Sequence, residues 1–215
     1  VSGINDRSPN GNYFGYEINS YYPELMQKNF DELYKEILDN KEVTIFDVGA
    51  NKGQSIERFK KIFNKKIIHS FEPIKFEFDN IYRKYKNENN LIINNFALGD
   101  KIEEKFFNVN HYTGSSSFLE TNQKTEWAKL RSKQFKIDPA NFVKNKSIVQ
   151  IKTIDDYCEK NQINKIDVLK IDTQGYEKNV LKGSSKMILS KKIKFIEIEL
   201  IFSDIYNKTL SIKDI

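Results

Sequence analysis

Four short stretches of this chain carry residues whose types and spacing suit chemistry at the ends of strands. The first is FDVGANKG, where an apolar run ends in Asp47 and glycines follow at positions 49 and 53. Gly49 permits a tight turn and the close approach of a ligand to the backbone, and Gly53 lets the following helix pack close. A dinucleotide fingerprint would need glycines at 49, 51 and 54, but Asn51 and Gln54 stand at the last two. Without the middle glycine, the expected ligand is an adenosyl compound that has no pyrophosphate to cradle. The second stretch is FEP, whose Glu72 lies roughly twenty residues past the loop, where a carboxylate accepts ribose hydroxyls. The third is KIDTQGYE, with Asp172 at a strand tip, Lys170 two residues earlier on the same face, and Glu177 bordering the site. The fourth is FIEIEL, which sets Glu197 and Glu199 on one face of an otherwise apolar strand. Carboxylates so placed need partners.

Strands must carry these tips, and the pattern supplies them. VTIFDV reads as a buried strand, QSIERFKKIF as a helix with Ile56, Phe59, Ile62 and Phe63 inward, and KIIHSFE as a second strand. KFEFDNIYRKYK follows as a helix and NLIINNFAL as a third strand, whose end places Phe96 and Ala97 where an adenine slot would lie. KFFNVNHYTGSSSFLE alternates like a hairpin or a β-rich insertion around Gly114. SIVQIKTI is another strand, and DDYCEKN a short helix opened by Asp155. KIDVLKID, a helix broken near Gly183, and the strand KIKFIEIELIF complete the order. Strands alternating with helices predict an α/β fold with a mostly parallel, doubly wound sheet. Before them, Pro23 to Asn40 carries Leu25, Met26, Phe30, Leu33, Ile37 and Leu38 at helical spacing, a covering helix within an N-terminal segment 1–42.

The composition narrows the function classes. The chain has 215 residues and a net charge of +5, enough for one core, with lysines and acids interleaved. The densest basic patch, FKKIFNKK, reads as a solvated helix face, and no aromatic-interleaved basic stripe argues for nucleic acid. No stretch is apolar enough to span a bilayer. The start has no signal-peptide pattern and no Met, the expectation being a trimmed fragment. The single cysteine, Cys158, excludes an internal disulfide and reads as a half-buried structural thiol in a reducing, cytoplasmic setting.

FDVGANKGQS, FEP, NNFALGD, GSSS, KTIDDY, KIDTQGYEKNVLKG and IEIEL, in this order from about Val43 onward, resemble the FkbM-type methyltransferases. The resemblance implies a Rossmann-like domain over 43–215 with strand order 3-2-1-4-5-7-6, the last two strands missing from this chain. It implies S-adenosyl-L-methionine as cofactor, with the methionine end on Asp47, Gly49, Ala50, Asn51 and Gly53. The ribose would lie on Glu72 and the adenine near Phe96 and Ala97. The implied reaction is O-methylation of a hydroxyl on a sugar or another small-molecule acceptor. One departure concerns position 174: many members carry an acid in the motif where this chain has Gln174, so a catalytic part for that position is not carried over.

An alcohol keeps its proton at neutral pH, so a base beside the acceptor helps methyl transfer. Asp172 is the first candidate. His111, in a loop that could close over the site, is the second, against a plain surface histidine. Glu199 is the third, being nearest the end of its strand. Lys170 pairs with Asp172 or orients it on the acceptor side, and Ser115 and Ser116 in TGSSSF offer hydroxyls to a sugar. His69 and Trp127 read as packing residues. No His, Cys, Asp or Glu set has convincing metal-ligand spacing. Three rivals stand: a nicotinamide-dependent dehydrogenase, disfavoured by the missing glycine; a non-catalytic adenosyl-binding module; and an RNA methyltransferase.

Overall fold

In the computed structural model, residues 6–7, 13–14, 29–38, 41–201 and 205–207 are described. Strand β1 (Asp6–Arg7) pairs antiparallel with β2 (Tyr13–Phe14). Helix α1 (Phe30–Leu38) is followed by β3 (Val43–Val48), α2 (Gln54–Ile62), β4 (Lys66–Phe71), α3 (Lys75–Tyr85) and β5 (Leu91–Asn94). The chain then enters a small sheet through β6 (Ala97–Leu98) and β7 (Glu103–Asn110). It crosses α4 (Glu126–Phe135) and returns as β8 (Val143–Lys152). Helix α5 (Ile154–Lys160), β9 (Ile166–Ile171), α6 (Glu177–Lys182), α7 (Ser185–Leu189) and β10 (Ile193–Ile198) complete the order.

The five-stranded sheet is parallel throughout, in the order β10-β9-β3-β4-β5. The order reverses between β3 and β9, and a crevice forms at such a point beyond the strands' carboxyl ends. Side chains of β3 alternate between two cores. Phe46 and Val48 join Tyr157, Cys158, Val180 and Met187 from α5, α6 and α7. Val43 and Ile45 join Tyr34 and Leu38 of α1 and Phe59 of α2. Both faces are therefore covered, as the unbroken apolar strands require. Among the described residues no helix is long and apolar enough to cross a membrane.

Several local expectations change. NLIINNFAL is not one strand, because two asparagine side chains end it. Asn94 Nδ2 donates to Ser70 O (3.1 Å), and Asn95 Nδ2 to Glu72 O (2.9 Å), turning the chain away into β6. The hairpin around Gly114 is a 3₁₀ turn with a single bridge between Asn108 and Ser117, while β7 pairs along its length with the distant β8. Helix α5 is capped by Thr153, whose Oγ1 accepts from Asp156 N (3.0 Å). Asp155 instead serves α7, accepting from Lys186 N (2.9 Å) and Met187 N (3.1 Å). In α1 the inward residues are Tyr34 and Leu38, while Phe30 and Ile37 are exposed. The expected helix residues 23–28 lie outside the described ones. Cys158 is buried rather than half-buried, which pushes its thiol up to about 12.

Candidate active site

The glycine loop leaves β3 at its carboxyl end. Gly49 has φ +85°, and a Cβ there would sit 1.9 Å from the Asp172 carbonyl oxygen. What comes close at Gly49 is thus the peptide at the tip of β9, and glycine is required for that crossing. Gly49 N and Ala50 N both donate to Phe71 O, at 3.0 and 3.1 Å, fixing the loop to β4. Asn51 (φ 46°) and Gly53 (φ +82°) also take the left-handed conformation before α2 begins. Gly53 packs against Tyr85, Ile56 and Ile81.

Glu72 sits under this loop, 3% exposed. Its Oε2 accepts from Asn51 N and its Oε1 from Ile74 N, both at 2.7 Å. Burial pushes the Glu72 carboxyl up to about 8, although these two N–H groups work against the rise. Each oxygen keeps a lone pair for a further donor.

Asp47 is fully buried, and Lys170 Nζ lies 3.4 Å from its Oδ1. Among the described residues no hydrogen bond of good geometry reaches either carboxylate oxygen, although Lys170 and the Ser55 side chain lie close enough to favour its ionised form. Burial raises the Asp47 carboxyl above its ordinary range, against the pull of Lys170. The same lysine lies 3.5 Å from Asp172 Oδ2. Burial alone would lower the Lys170 ammonium, but the carboxylates of Asp47, Asp172, Glu197 and Glu199 outweigh it and raise it. The register explains the group: Asp47 pairs with Lys170 across β3 and β9, and Asp172 follows two residues on.

Beyond β9 the chain makes a tight loop held by Glu177. Its Oε1 accepts from Thr173 N (3.1 Å), Thr173 Oγ1 (3.0 Å) and Gly175 N (3.0 Å). Gln174, at φ 55°, donates from Nε2 to Asp172 Oδ1 at 2.8 Å. Ser117 Oγ donates to Gln174 O (2.7 Å), and Tyr206 OH lies 2.8 Å from Ser115 O and 3.2 Å from Gln174 Oε1. The insertion also reaches the glycine loop. Thr113 Oγ1 donates to the buried Glu77 (2.7 Å) and accepts from Asn51 Nδ2 (3.4 Å).

The structure therefore brings together Asp47, Gly49, Ala50, Asn51, Gly53, Glu72, Lys170 and Asp172. Other candidates stand differently. The hydroxyls of Ser115 and Ser116 are buried and serve the loop itself: Ser115 Oγ donates to Tyr112 O (2.9 Å), and Ser116 Oγ accepts from Asn110 N (3.0 Å). They fold the segment rather than present hydroxyls to a sugar. His111 is exposed, with its backbone N–H on Phe142 O (3.1 Å). Glu199 follows the end of β10, its N–H on Ile171 O (3.0 Å), while Glu197 turns to Arg58 (2.6 Å) and Tyr34 (2.8 Å). Phe96 packs against Phe71 and Tyr157 with Lys152 Nζ over its ring, 4.1 Å from the centroid. Ala97 is buried beside Ile74 and Tyr176. His69 is a core histidine, its Nδ1 2.9 Å from the Tyr157 hydroxyl. Among the described residues no group of His, Cys, Asp and Glu suits a metal ion.

Sequence reasoning leaves Gln174 without a role and does not single out Tyr206, Thr113 or Glu77. Only Gln174 carried a signal, its amide standing where an acid was expected. A family model described as "Methyltransferase FkbM domain" matches residues 47–215, which hold every element from the glycine loop onward. No curated protein and no solved structure matches the chain.

Proposed function

The chain belongs to the FkbM methyltransferase family, whose members depend on S-adenosylmethionine, and from that premise we propose O-methylation of a sugar or other small-molecule hydroxyl, with Asp172 as base. One observation carries this proposal. The Asp172 carboxylate, its side chain 26% exposed, stands on the residue whose carbonyl touches Gly49. The base is therefore adjacent to the loop that would hold the cofactor.

The residues present fit that cofactor. It carries a cationic sulfonium and an ammonium, and among the described residues no hydrogen bond of good geometry saturates the buried Asp47 carboxylate beside the loop. The free lone pairs on Glu72 suit ribose hydroxyls. When bound, S-adenosylmethionine supplies a methyl group already activated for in-line displacement. The protein's part is alignment and proton removal. Asp172 takes the hydroxyl proton as the acceptor oxygen attacks. Lys170 holds one oxygen of that carboxylate and balances the charge that Asp47 and Asp172 place side by side. Residues 43–215 form the catalytic domain in this proposal, with 1–42 as an N-terminal segment whose α1 covers it. Phe96 and Ala97 back the adenine side, and His111 and Glu199 have no part in proton removal.

Two measurements test it. Binding of S-adenosylhomocysteine, followed by heat, is expected for the wild type and weakened in Glu72→Ala. Transfer from radiolabelled S-adenosylmethionine to a panel of methyl glycosides is expected to form methyl ethers and to slow about 10²–10⁴-fold in Asp172→Asn. Label on amines, or an unchanged rate in Asp172→Asn, would sink the proposal.

A further inference from the structure

Asp172 has two carboxylate oxygens, and the structure gives each its own partner. Lys170 Nζ stands 3.5 Å from Oδ2, and Gln174 Nε2 donates to Oδ1 at 2.8 Å. The second bond is the shorter of the two. A carboxylate only accepts, so the amide nitrogen of Gln174 must face it and the amide oxygen must face away. That oxygen meets the Tyr206 hydroxyl at 3.2 Å. Tyr206 has one proton, and its nearer acceptor is Ser115 O at 2.8 Å. The tyrosine thus pins the insertion first and the amide second.

The backbone of Gln174 supports the same role. A non-glycine residue at φ 55° holds a sparsely populated conformation, which persists only where its surroundings fix it. They do so here: Ser117 Oγ binds the Gln174 carbonyl, Glu177 binds the N–H groups of Thr173 and Gly175, and Gly175 packs against Leu119. The insertion and Glu177 therefore fix the backbone around Gln174, and its side-chain NH₂ group is aimed at Asp172. A glutamate in this place would set a second acceptor against the carboxylate. A methionine would fill the space with no donor.

We propose that Gln174 is a positioning residue. Its amide holds Asp172 in the orientation used for proton removal, and Tyr206 with the insertion holds the amide. This rests on Asp172 being the base, so the test separates the two claims.

The first arm needs no acceptor. In protein carrying the NMR-active nitrogen isotope, the Gln174 side-chain amide is assigned by its loss in Gln174→Met. One of its two protons is expected to be protected from solvent exchange, and Asp172→Ala is expected to remove that protection. An unprotected pair in the wild type, or protection that survives Asp172→Ala, overturns the proposal. The second arm is a double-mutant cycle in the methyl glycoside assay. Gln174→Met is expected to lower kcat at least about tenfold, with KM for S-adenosylmethionine unchanged and no further loss in the Asp172→Asn background. An unchanged kcat, or losses that add, overturns positioning. Full activity in Asp172→Asn instead removes the base, a result distinct from either.

Discussion

The loops after β3 and β9 lie side by side and are built in opposite ways. The glycine loop is local. Residues 49–53 bend through left-handed conformations, bond to the neighbouring β4 and Glu72, and feed directly into α2. The loop after β9 is assembled from afar. Gln174 depends on Ser117 and Tyr206, and Ser115 depends on Tyr206 in turn. In the function proposed above, the glycine loop is the cofactor cradle, supplied by consecutive residues of a strand–turn–helix. The acceptor side proposed there draws on an insertion and on the segment around Tyr206, so it can change with either.

That contrast predicts different losses on the two sides. The largest is expected for Asp172→Asn. Removing a general base lowers kcat by about 10²–10⁴-fold, while S-adenosylhomocysteine affinity stays within a few-fold of wild type. A collapse of binding as well would mean that the two loops do not work separately. Gly49→Ala comes next. Its Cβ would fall 1.9 Å from a backbone carbonyl at φ +85°, and the conformation alone costs roughly 1–3 kcal/mol. Thermal unfolding should show a marked loss of stability, and retention of the wild-type melting temperature would contradict the crossing.

A smaller effect sharpens the cofactor side. The Glu72 carboxyl, raised to about 8 in the folded chain, ionises near 4.3 when unfolded. Between those values the folded state binds more protons, so this group's contribution to stability falls as pH rises. Against a Glu72→Gln reference, the wild-type melting temperature should therefore decline from about pH 4.5 to pH 8. Ribose hydroxyls favour the ionised carboxylate, so S-adenosylhomocysteine should bind more tightly with rising pH over that window. An affinity independent of pH would take Glu72 out of the ribose site. The smallest effect is expected for His111→Ala. The imidazole is exposed, and among the described residues only the backbone N–H is engaged, so kcat should be unchanged. A tenfold fall would restore it as a catalytic candidate.

The uneven legibility of the chain follows from the same contrast. Asp47, Gly49 and Glu72 announce themselves because strand alternation, left-handed turns and a spacing of one strand–helix–strand unit are written in consecutive residues. Ser115 and Ser116 are ambiguous in sequence for the opposite reason. Hydroxyls in a turn suit a sugar and suit their own backbone equally well, and only the packed loop shows that Asn110 and Tyr112 use them. The buried face of α1 is equally ambiguous in sequence. Phe30 and Ile37 have helical spacing, but Tyr34 holds Glu197 and packs against Phe63, so the helix turns a different stripe inward.

The sequence by itself determined the α/β order, the strand that carries Asp47 near its end, and a two-glycine loop suited to an adenosyl group without a pyrophosphate. These depend on periodicities of two and 3.6 residues and on the φ values glycine allows, which are properties of neighbouring residues. Tertiary structure alone decided that the Asp172 peptide fills the space at Gly49, that Lys170 lies between two carboxylates, and that Gln174 faces Asp172. Each is a contact between segments tens of residues apart, fixed by strand order and register rather than by any local preference.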